Sequence, residues 1–329
     1  MMITIKDIAS RAGVSFSTVS KALRNSPLVQ ETTKQHILNL AQEMGYQPNI
    51  AARRLASKKS GAIGVVWPSI ERTAPSSLLT RINEELEIRG YTTLLSINRL
   101  DSAIETFHRF QVDAILVFGD HGDQAAQLAS LATSIPILIY GSGVHSPFVT
   151  VDVNRSKATR LAVKHLIELG HRHIGYIGRT MQSDPLQMEK IEAFRSEMEK
   201  YGAPCPDECV ASIQGMEFHD GYAAAKQLLC SSARPTALIS GSFDLTRGIL
   251  KAIVELGHQI PHDLSIVSYD NIPQMMDFDI PMTVVGVEIQ YIAQQIAAAL
   301  LTLLEAPYAE RTLVLEPELV VRASTATLP

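Results

Sequence analysis

One short segment carries side chains of the types and spacing that read nucleic acid. After Ser15 the chain runs Phe16-Ser17-Thr18-Val19-Ser20-Lys21-Ala22-Leu23. On a helix, Val19 and Leu23 share an inward stripe, while Phe16, Ser17, Ser20 and Lys21 face the other way. A flat ring, hydroxyls and a cation are the groups that meet base edges and phosphates in a DNA groove.

The elements around that segment have to hold it out. Thr4 can cap a first helix, with Asp7 closing a capping box. Ile5, Ile8, Ala9 and Ala12 form one apolar face, and Gly13 follows where a helix ends in the left-handed conformation. Val14 turns inward and Ser15 caps the second helix. Two short helices joined by a tight turn form a helix-turn-helix, whose second helix enters the major groove. The same pattern also fits a plain helical hairpin with a solvated face. A third helix is expected from about Glu31 to Met44, ended by Gly45, with Tyr46 placed for the contact that follows such a cap and Pro48 stopping continuation. A unit of this size is too small to be very stable alone. Residues 49–59 begin with a good N-cap, Asn49, but are short, basic and only narrowly apolar. An isolated helix of this length is marginal in water, and the plain alternative is a charged linker.

Charge divides the chain. Residues 1–60 hold nine Lys/Arg and three Asp/Glu, a net +6, whereas the whole chain is −5, so residues 61–329 carry −11. A basic head on an acidic body suits a protein that touches polyanion through the head alone.

From residue 61, apolar strands alternate with amphipathic helices, the pattern of parallel sheets covered on both faces. Strands are expected near 62–67, 91–97, 114–118 and 136–140, with helices between, one of them near 124–132. A second series starts with a helix over 155–169. Two such units make a cleft, and ligands bind beyond the carboxyl ends of the strands. The expected fold class is α/β: a three-helix head plus a two-lobed body of parallel sheets. No apolar run is long enough to span a membrane, and the N-terminus does not read as a signal peptide. Cys205, Cys209 and Cys230 are read as reduced thiols of a cytoplasmic protein.

The N-terminal run resembles the head of the LacI/GalR (lactose-repressor) family of bacterial transcription regulators. The matching residues are Thr4-Ile5-Lys6-Asp7-Ile8-Ala9, Ala12-Gly13-Val14-Ser15, Ser17 to Leu23, Gly45-Tyr46-Gln47-Pro48-Asn49 and Ala52-Arg53-Arg54-Leu55. The body is similar to the family's periplasmic-binding-protein-like domain, through His165-Leu166, Leu169-Gly170-His171, Ile266 to Asn271 and Pro317 to Arg322. The resemblance implies residues 1–48 as DNA-binding domain, 49–60 as hinge helix, and 61–329 as effector and dimerisation domain. Within the last, lobe 1 is expected at about 61–155 and 290–329 and lobe 2 at about 156–289. It implies DNA contacts from Thr4, Ser15, Phe16, Ser17, Thr18, Ser20, Lys21, Asn49, Arg53 and Leu55, the last as a minor-groove wedge. Lys21 stands where many relatives have Arg and lacks the planar fork.

The resemblance also implies an effector site at Ser69, Lys190, Ser242 and Asp270. The chain departs from the family there. Residues 69–79 lack the usual aromatic pair, Lys190 replaces an Arg, Ala193 a Gly, and Ser242-Phe243 an Asn-Asp pair. A cation and a carboxylate facing a cleft suit a sugar, sugar phosphate or sugar acid. The expected protein is a regulator, most simply a repressor, that binds a palindromic operator in double-stranded DNA as a homodimer. No catalytic set, cofactor or metal is expected. His165, His171 and His173 read as structural, Cys205 and Cys209 lack a second ligand pair, and Gly141-Ser142-Gly143 reads as a turn. The alternative is a small-molecule-binding protein or α/β enzyme with a vestigial DNA-binding head.

Overall fold

The computed structural model describes residues 3–23, 25–46, 60–67, 69–97, 99–119, 128, 134–141, 148–231, 234–306 and 312–328. It divides into two compact units, Met1–Ser60 and Gly61–Pro329.

In the first unit, helices α1 (Ile5–Ala12), α2 (Phe16–Leu23) and α3 (Glu31–Glu43) enclose Ile8, Val19, Ala22, Val29, Ile37 and Ala41. The Asp7 carboxylate accepts from the Thr4 backbone N–H at 2.8 Å and from the Thr4 hydroxyl at 2.7 Å. Gly13 ends α1 at φ 65°, which a Cβ would disfavour. Ser15 Oγ accepts the Thr18 N–H at 3.1 Å and so caps α2. At the end of α3, Gly45 is left-handed and donates to Gln42 O, while Tyr46 donates to Ala41 O at 2.8 Å. These two bonds form the Schellman closure that the Gly45-Tyr46 pair predicts. The hinge expected at 49–60 lies outside the described residues, apart from Ser60.

The second unit opens with β1 (Ala62–Val66), α4 (Thr73–Ile88), β2 (Thr92–Ser96), α5 (Leu100–Phe110), β3 (Ala114–Phe118), β4 (Ile137–Tyr140) and β5 (Val149–Val153). The helix expected near 124–132 lies outside the described residues except for Leu128, which is helical and buried. Then follow α6 (Arg155–Glu168), β6 (Ile174–Arg179), α7 (Pro185–Lys200), β7 (Val210–Ile213), α8 (Phe218–Leu229), β8 (Ala237–Ser240), α9 (Phe243–Glu255), β9 (Ser265–Asn271) and β10 (Thr283–Glu288). Helix α10 (Ile289–Glu305) and strands β11 (Thr312–Leu315) and β12 (Glu318–Val320) complete it.

These strands form two six-stranded sheets. The first has the order β11-β5-β4-β3-β1-β2 and every pair is parallel. The second has the order β12-β10-β9-β8-β6-β7 and is parallel except for β12, which runs antiparallel to β10. Central strands such as β1 and β4 are buried along their whole length, as expected for a sheet with helices on both faces.

The expected assignment of 290–329 to lobe 1 needs one correction. Helix α10 packs on α4, and β11 extends the first sheet, but β12 joins the second. The tail after β12 stays there. Ser324 Oγ accepts from Thr283 N at 2.8 Å and donates to Ile266 O at 2.6 Å, and Leu328 N donates to Leu169 O. Local pattern marks 318–322 as a strand, but its partner is a non-local choice made by the exposed edge of β10.

His171 anchors the same tail. Its Nε2 donates to Ala326 O at 3.1 Å, and its Nδ1 lies 2.9 Å from Thr236 Oγ1. Burial holds this imidazole below the ordinary histidine range, so it packs as a neutral ring. His165 Nε2 meets Thr325 Oγ1 at 3.0 Å.

Candidate DNA interface and ligand cavity

Helix α2 presents its outer face to solvent. Phe16 is 54% exposed, large for an aromatic ring, and Ser17 and Lys21 are exposed beside it. Thr18 and Ser20 are half-buried on the flank, and Val19 and Ala22 fill the core behind. Thr4 and Ser15 are already engaged locally, as partner of Asp7 and as cap of α2. Asn49, Arg53 and Leu55 lie outside the described residues.

In the second unit, a cavity of about 150 Å³ lies where the carboxyl ends of the two sheets face each other. That is the volume of a protein cavity that takes one benzene-sized molecule. The first lobe contributes Arg72, the first turn of α4 (Ala74, Pro75), Phe118, Tyr140 and Ile289. The second contributes Arg155, Arg179, Asp184, Gln187, Lys190, Tyr269 and Asp270.

Lys190, on α7, is 3% exposed. Its Nζ donates to Gly241 O at 3.1 Å and sits 3.5 Å above the Tyr269 ring, a cation–π contact. Burial pulls this ammonium down to about 7, against the favourable pull of Asp270 and with further opposition from Arg155 and Arg72. Asp270 is pushed above the ordinary carboxylate range, again chiefly by burial. Its Oδ2 accepts the Phe243 N–H at 2.8 Å, at the positive end of α9. Asp270 also holds φ 82°, a strained backbone for a residue with a side chain, and such strain concentrates at functional sites.

Arg155 binds Asp152 at 2.6 Å, both buried, and Arg179 lies 3.3 Å from Asp184. Asp184 caps α7 by accepting the Gln187 N–H at 3.2 Å. Burial pushes the phenols of Tyr140 and Tyr269 up, so both stay protonated and can donate.

Two of the expected effector residues therefore meet in the cavity, Lys190 and Asp270. The other two do not line it. Ser242 is fully buried, where its Oγ caps α9 by accepting the Leu245 N–H at 3.4 Å and its carbonyl accepts from Thr246 Oγ1 at 2.8 Å. Ser69 Oγ accepts from Glu71 N at 3.1 Å within its own turn. Small hydroxyls near helix starts are consumed by capping, a local demand that position alone does not reveal.

The residues missed by the sequence were Arg72, Arg155, Arg179, Asp184, Tyr140 and Tyr269. Most stand at strand ends or in the first turn of the following helix, so the strand-end rule gave a usable signal. The missing aromatics of 69–79 have a structural counterpart: Phe118 and Tyr140 line the cavity 5.7 Å apart, and Trp67 backs Phe118 at 4.5 Å.

A family model described as bacterial regulatory proteins, lacI family, matches residues 4–49, and one described as a periplasmic binding protein-like domain matches residues 163–325. The chain is 32% identical over 351 residues to the HTH-type transcriptional regulator MalR of Streptomyces coelicolor, covering 100% of this chain and 98% of that protein. The chain belongs to the LacI family. This LacI-family member is also 28% identical over 332 residues to the HTH-type transcriptional repressor PurR of Mannheimia succiniciproducens, covering 98% of each. These relatives are HTH-type transcriptional regulators, and this LacI-family chain is a transcriptional regulator. The fold matches that of the Lac repressor dimer bound to operator and the anti-inducer ONPF, with a TM-score of 0.87, 23% identity and coverage of 99% of this chain and 100% of that one. The CelR–cellobiose complex matches with a TM-score of 0.70 and 24% identity, over 98% of this chain and 99% of that one. Among the described residues, no helix is long and apolar enough to cross a membrane.

Proposed function

We propose that this LacI-family regulator is a repressor that binds a palindromic operator as a homodimer and is switched by a small polar effector in the interlobe cavity. The observation that carries the reading is the capped helix α2, which exposes Phe16, Ser17 and Lys21 on a basic head. Arg53 and the wedge Leu55 are proposed to act with it in the minor groove. The relatives named as repressor and regulator support the direction of control.

Apolar surface on the body supports the homodimer. Ile88 and Ile97 are exposed around the edge strand β2, and Val254 on α9 borders an apolar groove with Phe278, Ile280 and Met282. The protein is proposed to act in the cytoplasm, with its cysteines as thiols. Ligand binding changes the contacts between the lobes, and the differential affinity for the two lobe arrangements sets the size of the response.

Selection from random duplexes tests the reading. The expected outcome is a palindromic site bound with a steep salt dependence and at least a thousandfold preference over random DNA, about 4 kcal/mol. Equal affinity for palindromic and random duplexes at all salt concentrations rejects it.

A further inference from the structure

The cavity is rich in guanidinium groups. Three guanidinium groups, Arg72, Arg155 and Arg179, and the amine of Lys190 line it together with the carboxylates of Asp184 and Asp270. Arg155 is satisfied by Asp152. Lys190 is held by Gly241 O and the Tyr269 ring. Arg72 pairs with no carboxylate among the described residues, and its Nε is buried with no hydrogen-bond partner among them. Among the described residues, Arg179 has the longer contact to Asp184, whose charge α7 already shares, and a 3.4 Å contact to Met181 Sδ. Its Nε is buried and unpartnered as well. A buried donor without a partner costs free energy, and two guanidinium groups beside one cavity, each with an unpartnered Nε, suit an anion with several acceptor oxygens.

We propose that the effector of this protein is a compact anion, a carboxylate or phosphate monoester on a hydroxylated body of one ring or smaller, and that Arg72 and Arg179 bind its charged group. The cavity, open to solvent on one side, has room for a body of this size. Asp270 keeps one carboxylate oxygen beyond the one bonded to Phe243 N, which suits a ligand hydroxyl, and Tyr140 and Tyr269 supply the flat walls. The inference rests on the cavity being the effector site proposed above.

The full chain has a single tryptophan, Trp67, packed against the cavity residue Phe118, so its fluorescence reports on occupancy. Inorganic phosphate, gluconate, glucose 6-phosphate and glucose are titrated at constant ionic strength, with Trp67 emission and melting temperature recorded. At least one of the three anions is expected to bind ten times or more tightly than glucose. Arg72→Gln and Arg179→Gln should each weaken that anion tenfold or more while leaving the melting temperature of the free protein nearly unchanged. Preference for gluconate identifies a carboxylate ligand, and preference for glucose 6-phosphate or phosphate a phosphate ligand. Glucose binding as tightly as its acid and its phosphate, or no anion exceeding sodium chloride, overturns the anion site. So does anion affinity that is unchanged in both variants. An anion that binds through Arg72 and Arg179 without altering DNA affinity leaves the anion site standing and removes the effector role instead.

Discussion

Asp244 of the second lobe accepts two hydrogen bonds from Thr73 of the first, from the backbone N–H at 3.0 Å and from the hydroxyl at 2.8 Å. Each residue sits in the first turn of its helix, so the carboxylate lies near the positive ends of both α4 and α9. This clip lies next to Arg72, which shares a second surface pocket with Asp244. A second polar bridge, Gln274 Nε2 to Ser77 Oγ at 3.2 Å, lies on the same helix α4.

Asp244→Ala should therefore loosen the lobes. Hydrogen bonds to a charged group contribute about 1.5–3 kcal/mol, so unfolding free energy should fall by about that amount. The effector concentration needed for half-response in a DNA-binding assay should shift as well. An unchanged half-response would mean that the clip does not bias the two lobe arrangements.

The Lys190 ammonium gives a pH signature. Its value is about 7 in the folded protein against the ordinary 10.5. Between those values the unfolded chain binds the extra proton, so stability rises with pH, by up to about 1.4 kcal/mol per unit. Below pH 7 both states are protonated and this contribution to the slope vanishes. The charged groups around it are Asp270, Arg155, Arg72 and Asp184. Denaturant unfolding measured from pH 7 to 9 should show the rise, and Lys190→Met should flatten it.

Lys21→Ala should weaken the specific complex by about 1–3 kcal/mol if its contact is to a base edge, and relax preference at one base pair. Competition binding against a library with each position varied measures both. A uniform loss at all sequences with a shallower salt slope would instead assign Lys21 to a phosphate.

Gly248→Ala should destabilise the second lobe by about 1–3 kcal/mol or more. A Cβ there would stand 1.9 Å from Phe218 O, because α8 and α9 cross in near backbone contact, and one on Gly221 would stand 2.2 Å from Leu245 O. Thermal unfolding would register the loss, and DNA binding by the folded fraction should be unaffected.

Much of this molecule is legible along the chain because its signals are local. Gly13, Ser15 and the Gly45-Tyr46 pair set helix ends through φ preference and capping, which depend on neighbours a few residues away. The apolar runs of β1, β3 and β4 record burial on both faces, and the charge split between head and body is a property of composition. Lys190 and Asp270 were found through motif position. What the sequence left open is decided by contacts between distant residues. Tertiary structure alone brings Arg72 and Arg179 to one cavity, assigns β12 to the second sheet, buries Ser242 as a cap, and joins Thr73 to Asp244 across 171 positions. Periodicity records which face of an element is buried, but not which other element covers it, and a ligand site is made by that second choice.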